Sequence, residues 1–290
     1  MRKFGRAAAT AAGAASLLSI TVLASAYTTG SAAMAAPAAT RADTLARIKP
    51  GGPMALPRNQ SSALRTFSGK TINVVSQNWG GYVAEQQHGV KFRYARAAFF
   101  VPYVDCASTP FSFSGHWVGL DGAGNGTVEQ DGILAACQGT TPVYSAWYEM
   151  FPLPPVYSKI TVRPGNSIVA SAFYDSGTGK FTLSLTNTTN REHFTHTLAC
   201  PSGSLCPRSS AEVISEAPSS GTSILPLTNF RAESFTDVVV TDSHGRRAGL
   251  RAPWWDPFGV ATENNSGAVL DQPTQILRGK AFDCYWMARN

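Results

Sequence analysis

The chain has 290 residues, 43% hydrophobic and only 14% charged, with a formal net charge of +6 and five cysteines. Nine of its Lys and Arg residues but only one acid fall in residues 1–70, which leaves 15 basic and 17 acidic residues beyond. The larger part is thus slightly acidic and lacks the electrostatic footprint of a nucleic-acid binder.

Met1 to Arg6 carries three cations, and an apolar stretch to about Ala26 follows. The stretch is borderline in length for a membrane span. Its small residues and the A-x-A sites Ala24-Ser25-Ala26 and Ala33-Met34-Ala35 favour cleavage instead. Residues 1–36 are therefore expected to be a secretory signal, and the protein to be extracellular, with no membrane attachment once the signal is removed. Residues 37–70 are Ala, Pro, Arg, Ser and Gly without sustained periodicity. Two readings stay open for them: a disordered linker, or a propeptide whose cations cover an acidic cleft until acid releases it.

From Thr71 onward short Val/Ile/Thr/Phe/Tyr runs alternate with Gly, Pro, Asn and Ser clusters. Runs at 97–101, 168–174, 181–186 and 237–241 predict strands, and Asp175-Ser176-Gly177-Thr178-Gly179-Lys180 predicts a hairpin turn. No long helical pattern appears. About 220 residues of this kind fit one all-β domain, a two-sheet antiparallel β-sandwich over 71–290. Cysteines in an exported chain predict disulfides with one thiol left over. Cys200 and Cys206 flank a short loop and are the favoured pair. Cys106–Cys137 would bracket Gln130, although connectivity cannot be read from spacing.

Three strand-like segments mix acids with aromatics on one face. Alternation places Trp117 with Asp121, Trp147 with Glu149 and Phe151, and Glu212 with Ile214 and Glu216. An ordinary half-buried strand keeps acids on the wet face. The mixture predicts a partly dry cleft, where carboxylates titrate high and suit general acid–base chemistry.

Other motifs resolve to structure. Asp175-Ser176-Gly177-Thr178 has the form of an aspartic-peptidase motif, but that chemistry needs two carboxylates and only one copy exists. No Gly-x-Ser-x-Gly elbow occurs. His193 and His196 would point to opposite faces of a strand, so no metal site is expected. Trp254-Trp255 reads as a sugar-stacking loop or, preferably, a plug at one end of the sandwich. Asn125-Gly126-Thr127 and Asn187-Thr188-Thr189 are glycosylation sequons.

The ordered set Asn78-Trp79-Gly80-Gly81, Trp117-Val118-Gly119-Leu120-Asp121-Gly122, Gln130, Ala146-Trp147-Tyr148-Glu149 and Ala211-Glu212-Val213-Ile214-Ser215-Glu216 resembles the glutamic peptidases, or eqolisins. The resemblance implies a lectin-like sandwich and a catalytic pair of Gln130 and Glu216. It implies supporting or substrate-binding roles for Trp79, Trp117, Asp121, Trp147, Tyr148, Glu149 and Glu212. It further implies acid hydrolysis of polypeptides with no metal or other cofactor, insensitive to pepstatin, by a protein that nothing suggests is other than a monomer. Val213 stands where the family has Trp, and Glu129 and Asp131 flank Gln130 where it has Leu and Thr; these departures bear on subsite shape and pH profile. Two other readings are a carbohydrate enzyme or lectin, with Glu149 and Glu216 flanking a glycosidic bond and Trp147 stacking on sugar, and a non-catalytic binding member of the family.

Overall fold

A computed structural model of the chain describes residues 47–57, 65–67, 70–72, 74–86 and 89–289. The expected signal segment lies outside the described residues, as does most of 37–70. No described residue is helical, and none lies in a helix long and apolar enough to cross a membrane.

Thirteen strands of five or more residues carry the fold. They are β1 (Trp79–Gln86), β2 (Phe92–Phe100), β3 (Phe113–Leu120), β4 (Val128–Gln138), β5 (Thr141–Phe151), β6 (Ser167–Asp175) and β7 (Lys180–Asn187). Then come β8 (Glu192–Ala199), β9 (Ser210–Glu216), β10 (Ala232–Asp242), β11 (Trp255–Glu263), β12 (Val269–Pro273) and β13 (Phe282–Trp286). They hydrogen-bond in the order β8-β7-β6-β2-β10-β13-β12-β11-β1-β9-β3-β4-β5, all antiparallel along that path. This one ribbon folds over on itself. The β8-to-β10 half packs against the β11-to-β5 half as a β-sandwich, as expected.

Strand alternation builds the core between the halves. Ala95, Ala97 and Phe99 of β2, Ile168 and Ala170 of β6, and Leu183 and Leu185 of β7 come from one side. Val118 and Leu120 of β3, Ile133 of β4, Ala146 of β5 and Val213 of β9 meet them from the other. Phe235 bridges Phe99 and Phe282 at ring separations of 5.5 and 5.1 Å. Each such ring buried contributes about 1.5–3 kcal/mol, and a one-residue register slip would turn a strand's whole set outward.

The hairpin at 175–180 forms as read. The Asp175 carboxylate accepts the Gly177 N–H at 2.9 Å and the Thr178 hydroxyl at 2.8 Å, so the single aspartic-peptidase-like motif is an exposed turn. Trp255 is buried, donates to the Leu250 carbonyl at 2.8 Å and packs on Phe92, so it is part of the core. Both sequon asparagines are engaged internally: Asn125 Nδ2 donates to Asp121, and Asn187 Nδ2 to the Thr161 carbonyl. Cys106–Cys137 and Cys200–Cys206 are the disulfides, and Cys284 is a buried free thiol. The first closes a span of 31 residues, a constraint on the unfolded chain worth about 3–4 kcal/mol.

Candidate active site

The opposite, outward face of β9, β3, β4 and β5 forms the site. Directly paired residues share a face, so register builds rows across these strands. One row reads Glu212, Gly119, Gln130, Glu149. The next reads Ile214, Trp117, Gly132, Trp147, and the third begins Glu216, Gly115, Leu134. Glycines at 119, 132 and 115 leave a trough between the larger side chains. Gly132 has no alternative, since a Cβ there would lie 2.5 Å from the Trp117 Cβ. An apolar lining of Trp79, Val83, Trp117, Trp147, Ile214 and Val260 surrounds the trough.

Two carboxylates and one amide are held in this lining. Trp117 Nε1 donates to Glu216 Oε2 at 2.8 Å, and Asn78 Nδ2 donates to Glu216 Oε1 at 3.0 Å. Gln130 Nε2 donates to Glu149 Oε2 at 3.0 Å. All three side chains are buried. Burial pushes Glu216 well above the usual carboxylate range, against the donors Trp117 and Asn78, and the Glu149 charge adds to the rise. Glu149 is raised by burial as well, with Lys49 and Gln130 opposing. A carboxamide has two N–H donors. With one given to Glu149, the second remains for a reacting group.

What buries the trough is the chain's own segment from Ile48 to Ala55. Lys49 pairs antiparallel with Ser219, by N–H to O bonds of 2.8 and 3.0 Å. The Tyr157 hydroxyl donates to the Ile48 carbonyl at 3.1 Å, Trp79 Nε1 to the Gly52 carbonyl at 2.8 Å, and Asn78 Nδ2 to the Pro53 carbonyl at 3.1 Å. Met54 N–H reaches the Gly122 carbonyl at 3.1 Å, and Ala55 N–H reaches Asn78 Oδ1 at 2.8 Å. Gly51 lies on the Gln130 amide itself, where a Cβ would come within 2.2 Å of Nε2.

The structure thus brings together Gln130, Glu216, Glu149, Trp117, Trp79 and Trp147. Glu212 shares the Gln130 row, next to Gly119, and is fully buried. Two residues of the expected set lie elsewhere. β3 ends at Leu120, and Asp121 adopts φ 72°, which breaks the alternation that would have put it with Trp117. Its carboxylate accepts the N–H groups of Arg208 and Ser209 at 2.7 and 2.8 Å and so anchors the entry to β9. Tyr148 faces the interior between the sheets and stacks on His196 at 4.1 Å. Alternation likewise turns Glu129 and Asp131 away from the Gln130 face, and Val213 packs in the inter-sheet core. These departures from the family pattern therefore leave the trough unshaped. Trp147 is fully buried in the apolar lining of the trough. Asn78, Tyr157 and Ser219 were missed as site residues. Asn78 stood beside Trp79 in the quoted set; the other two carried no signal.

A second polar group sits on the inner face. His116 Nδ1 lies 3.0 Å from Ser215 Oγ, and Nε2 lies 3.1 Å from Ser114 Oγ. Complete burial pushes His116 down to about 3, and its ring packs edge-on to Phe230. Sealed between sheets, this Ser–His contact reaches no substrate. Among the described residues no cluster of His, Cys, Asp or Glu is arranged to hold a metal ion.

Comparison with known proteins identifies the family. Two crystal structures of scytalido-glutamic peptidase, one with a peptide-based transition-state analog and one with a transition-state analog inhibitor, are each 26% identical to the chain. Each covers 73% of this chain and 98% of its own, with TM-scores of 0.61 and 0.62. Aspergilloglutamic peptidase from Aspergillus niger is 26% identical, covering 61% of this chain and 99% of its own, with a TM-score of 0.53. No curated protein sequence matches. Residues 77–273, about two thirds of the chain, match the Peptidase A4 family, and the chain belongs to that family, the glutamic-type peptidases.

Proposed function

We propose that the protein is a secreted acid endopeptidase in which Glu216 activates water and Gln130 stabilises the oxyanion. The observation that carries this reading is the convergence of a doubly held Glu216, an oriented Gln130 amide and an extended peptide segment in one apolar trough. Glu216, ionised, takes a proton from a water that attacks the scissile carbonyl. The free N–H of Gln130 donates to the developing oxyanion, a contact worth about 3–4 kcal/mol in the transition state. Glu216 then passes its proton to the leaving amine. Glu149 acts on Gln130 rather than on substrate: it fixes the amide so that the second N–H points into the trough.

Both limbs of the pH profile follow from the two carboxylates. The acid limb is Glu216 ionisation. Activity declines toward neutral pH as Glu149, held against the Gln130 amide, ionises and sets a negative charge beside the developing oxyanion. The chemistry uses a carboxylate and an amide only, so it is expected to survive both pepstatin and EDTA. The two disulfides and the A-x-A sites support export.

The test is cleavage of a denatured protein from strongly acid to neutral pH, with both inhibitors present. Glu216→Gln should lower the rate about 10²–10⁴-fold, and Gln130→Ala about 10²–10³-fold. Undiminished activity in either variant would place the chemistry elsewhere. Absence of cleavage by folded protein at every pH would leave a non-catalytic family member.

A further inference from the structure

We infer that Tyr157 and Phe151 form a substrate subsite that takes an apolar residue followed by a basic one, ahead of the bond to be cut. The inference rests on the peptidase reading above and names a substrate class for it: extended polypeptide with Lys or Arg at the third residue before the cleaved bond. The chain itself shows how the trough receives an extended backbone, because residues 48–55 lie along it as a strap. Gly51 rests on the Gln130 amide and so marks the place of the residue that carries the scissile carbonyl. Counted back from Gly51 as the first, Lys49 is third and Ile48 fourth.

Both residues meet groups outside the catalytic pair. The Ile48 carbonyl accepts from the Tyr157 hydroxyl at 3.1 Å, and the Ile48 side chain is buried in the apolar lining that includes Trp147. Register puts Tyr157 there, since it pairs with Trp147 beside the edge of β5. Burial and the Glu149 charge both push the Tyr157 hydroxyl up, so it keeps its proton and donates throughout the acid range. This contact is to backbone, which any extended peptide offers. Selectivity comes from the next residue. Lys49 Nζ sits 5.9 Å over the Phe151 ring, and its charge opposes the rise that burial imposes on Glu149. Alternation along β5 sets Trp147, Glu149 and Phe151 on one face, so ring and carboxyl reach the same cation from one strand. A ring face attracts a cation without an ionised partner, which suits a site working in acid, where Glu149 holds its proton. An uncharged side chain of the same length would fill the space without that attraction.

The test uses the full chain, Phe151→Leu and Tyr157→Phe on internally quenched peptides in acid, with the cut bond located by mass spectrometry. One peptide has Lys at the third residue before that bond and a second has norleucine there. A shortened peptide starts at the third residue with a free amino terminus, and so lacks the carbonyl that Tyr157 would hold. The wild type should favour Lys over norleucine about two- to fivefold in kcat/KM. Phe151→Leu should abolish that ratio and cleave the norleucine peptide as before. Tyr157→Phe should lower kcat/KM for both longer peptides about two- to tenfold and leave the shortened one unchanged. A merely structural role for either ring would lower all three peptides alike.

Equal cleavage of the Lys and norleucine peptides by the wild type would overturn the subsite while leaving the peptidase reading intact. So would a Lys preference that survives Phe151→Leu, or a Tyr157→Phe loss that is the same on the shortened peptide. No cleavage of any peptide by any of the three chains would sink the peptidase reading, and the subsite with it.

Discussion

The two faces of β9 and its neighbours carry comparable numbers of buried polar side chains and treat them in opposite ways. On the outer face Gln130, Glu149 and Glu216 are buried under a strap one residue thick at its closest point, Gly51. On the inner face His116, Ser215 and Asp131 are buried under a second sheet. Burial by a strap is local and rests on a few hydrogen bonds. Burial by a sheet ends only when the fold does. The outer-face carboxylates are therefore the ones proposed for chemistry, and those on the inner side couple to stability instead. A pKa shift alone does not distinguish them; what covers the group does.

The difference can be broken from either side. The largest effect is expected at Glu216: Glu216→Gln should cost about 10²–10⁴ in kcat while the melting temperature stays level or rises, because a desolvated acid has been replaced by a neutral isostere. Differential scanning calorimetry beside kinetics checks both halves. An equal loss of stability would assign Glu216 to the structural class.

Asp271 should behave in the converse manner. It lies against Gly80 behind the site, accepts the Thr262 N–H at 3.2 Å, and is pushed up to about 7 by burial. Folded Asp271 thus holds its proton more tightly than the unfolded chain does, where a carboxyl titrates near 3.9. Its contribution to stability is complete below about pH 4 and lost as pH rises through about 7, a total of about 4 kcal/mol. The fold should melt about 10 °C lower at mildly alkaline pH than in acid. Asp271→Asn should lessen that slope, leaving the share of other buried acids such as Asp131 and Glu233, without altering the shape of the rate profile in acid. A melting temperature independent of pH in the wild type would refute this account.

Smaller still is the effect of Trp117→Phe. It removes the indole donor from Glu216, a charge-assisted bond worth about 1.5–3 kcal/mol. That donor lowers the Glu216 pKa, so its loss should move the acid limb of the kcat/KM profile to higher pH. An unmoved limb would mean that Glu216 is not the group whose ionisation the profile reports.

Much of this architecture was legible in the chain itself. Strand alternation is a local property of the backbone, and within single strands it placed Trp147 with Glu149 and Glu216 with Ile214 before any register was known; that these share a face with Trp117 needed the register. The turn at 175–180 and the Cys200–Cys206 loop were readable for the same reason, since a few adjacent residues decide each. Alternation misled at Asp121, where a single left-handed residue ends β3 and redirects the side chain to Arg208 and Ser209. It was silent on what Glu129 and Asp131 do, because which face becomes trough and which becomes core depends on where the second sheet packs. Cys106–Cys137 likewise required proximity that spacing does not encode. The strap is the extreme case. Lys49-Pro50-Gly51-Gly52-Pro53 has the composition of a linker and no periodicity. Its place is set by hydrogen bonds to Asn78, Trp79, Tyr157 and Ser219, contacts between segments distant in sequence. The chain alone determined which side chains carry the family pattern, because that pattern is local to each strand; only the tertiary structure decided that they meet in one trough with one of the chain's own segments on top of them.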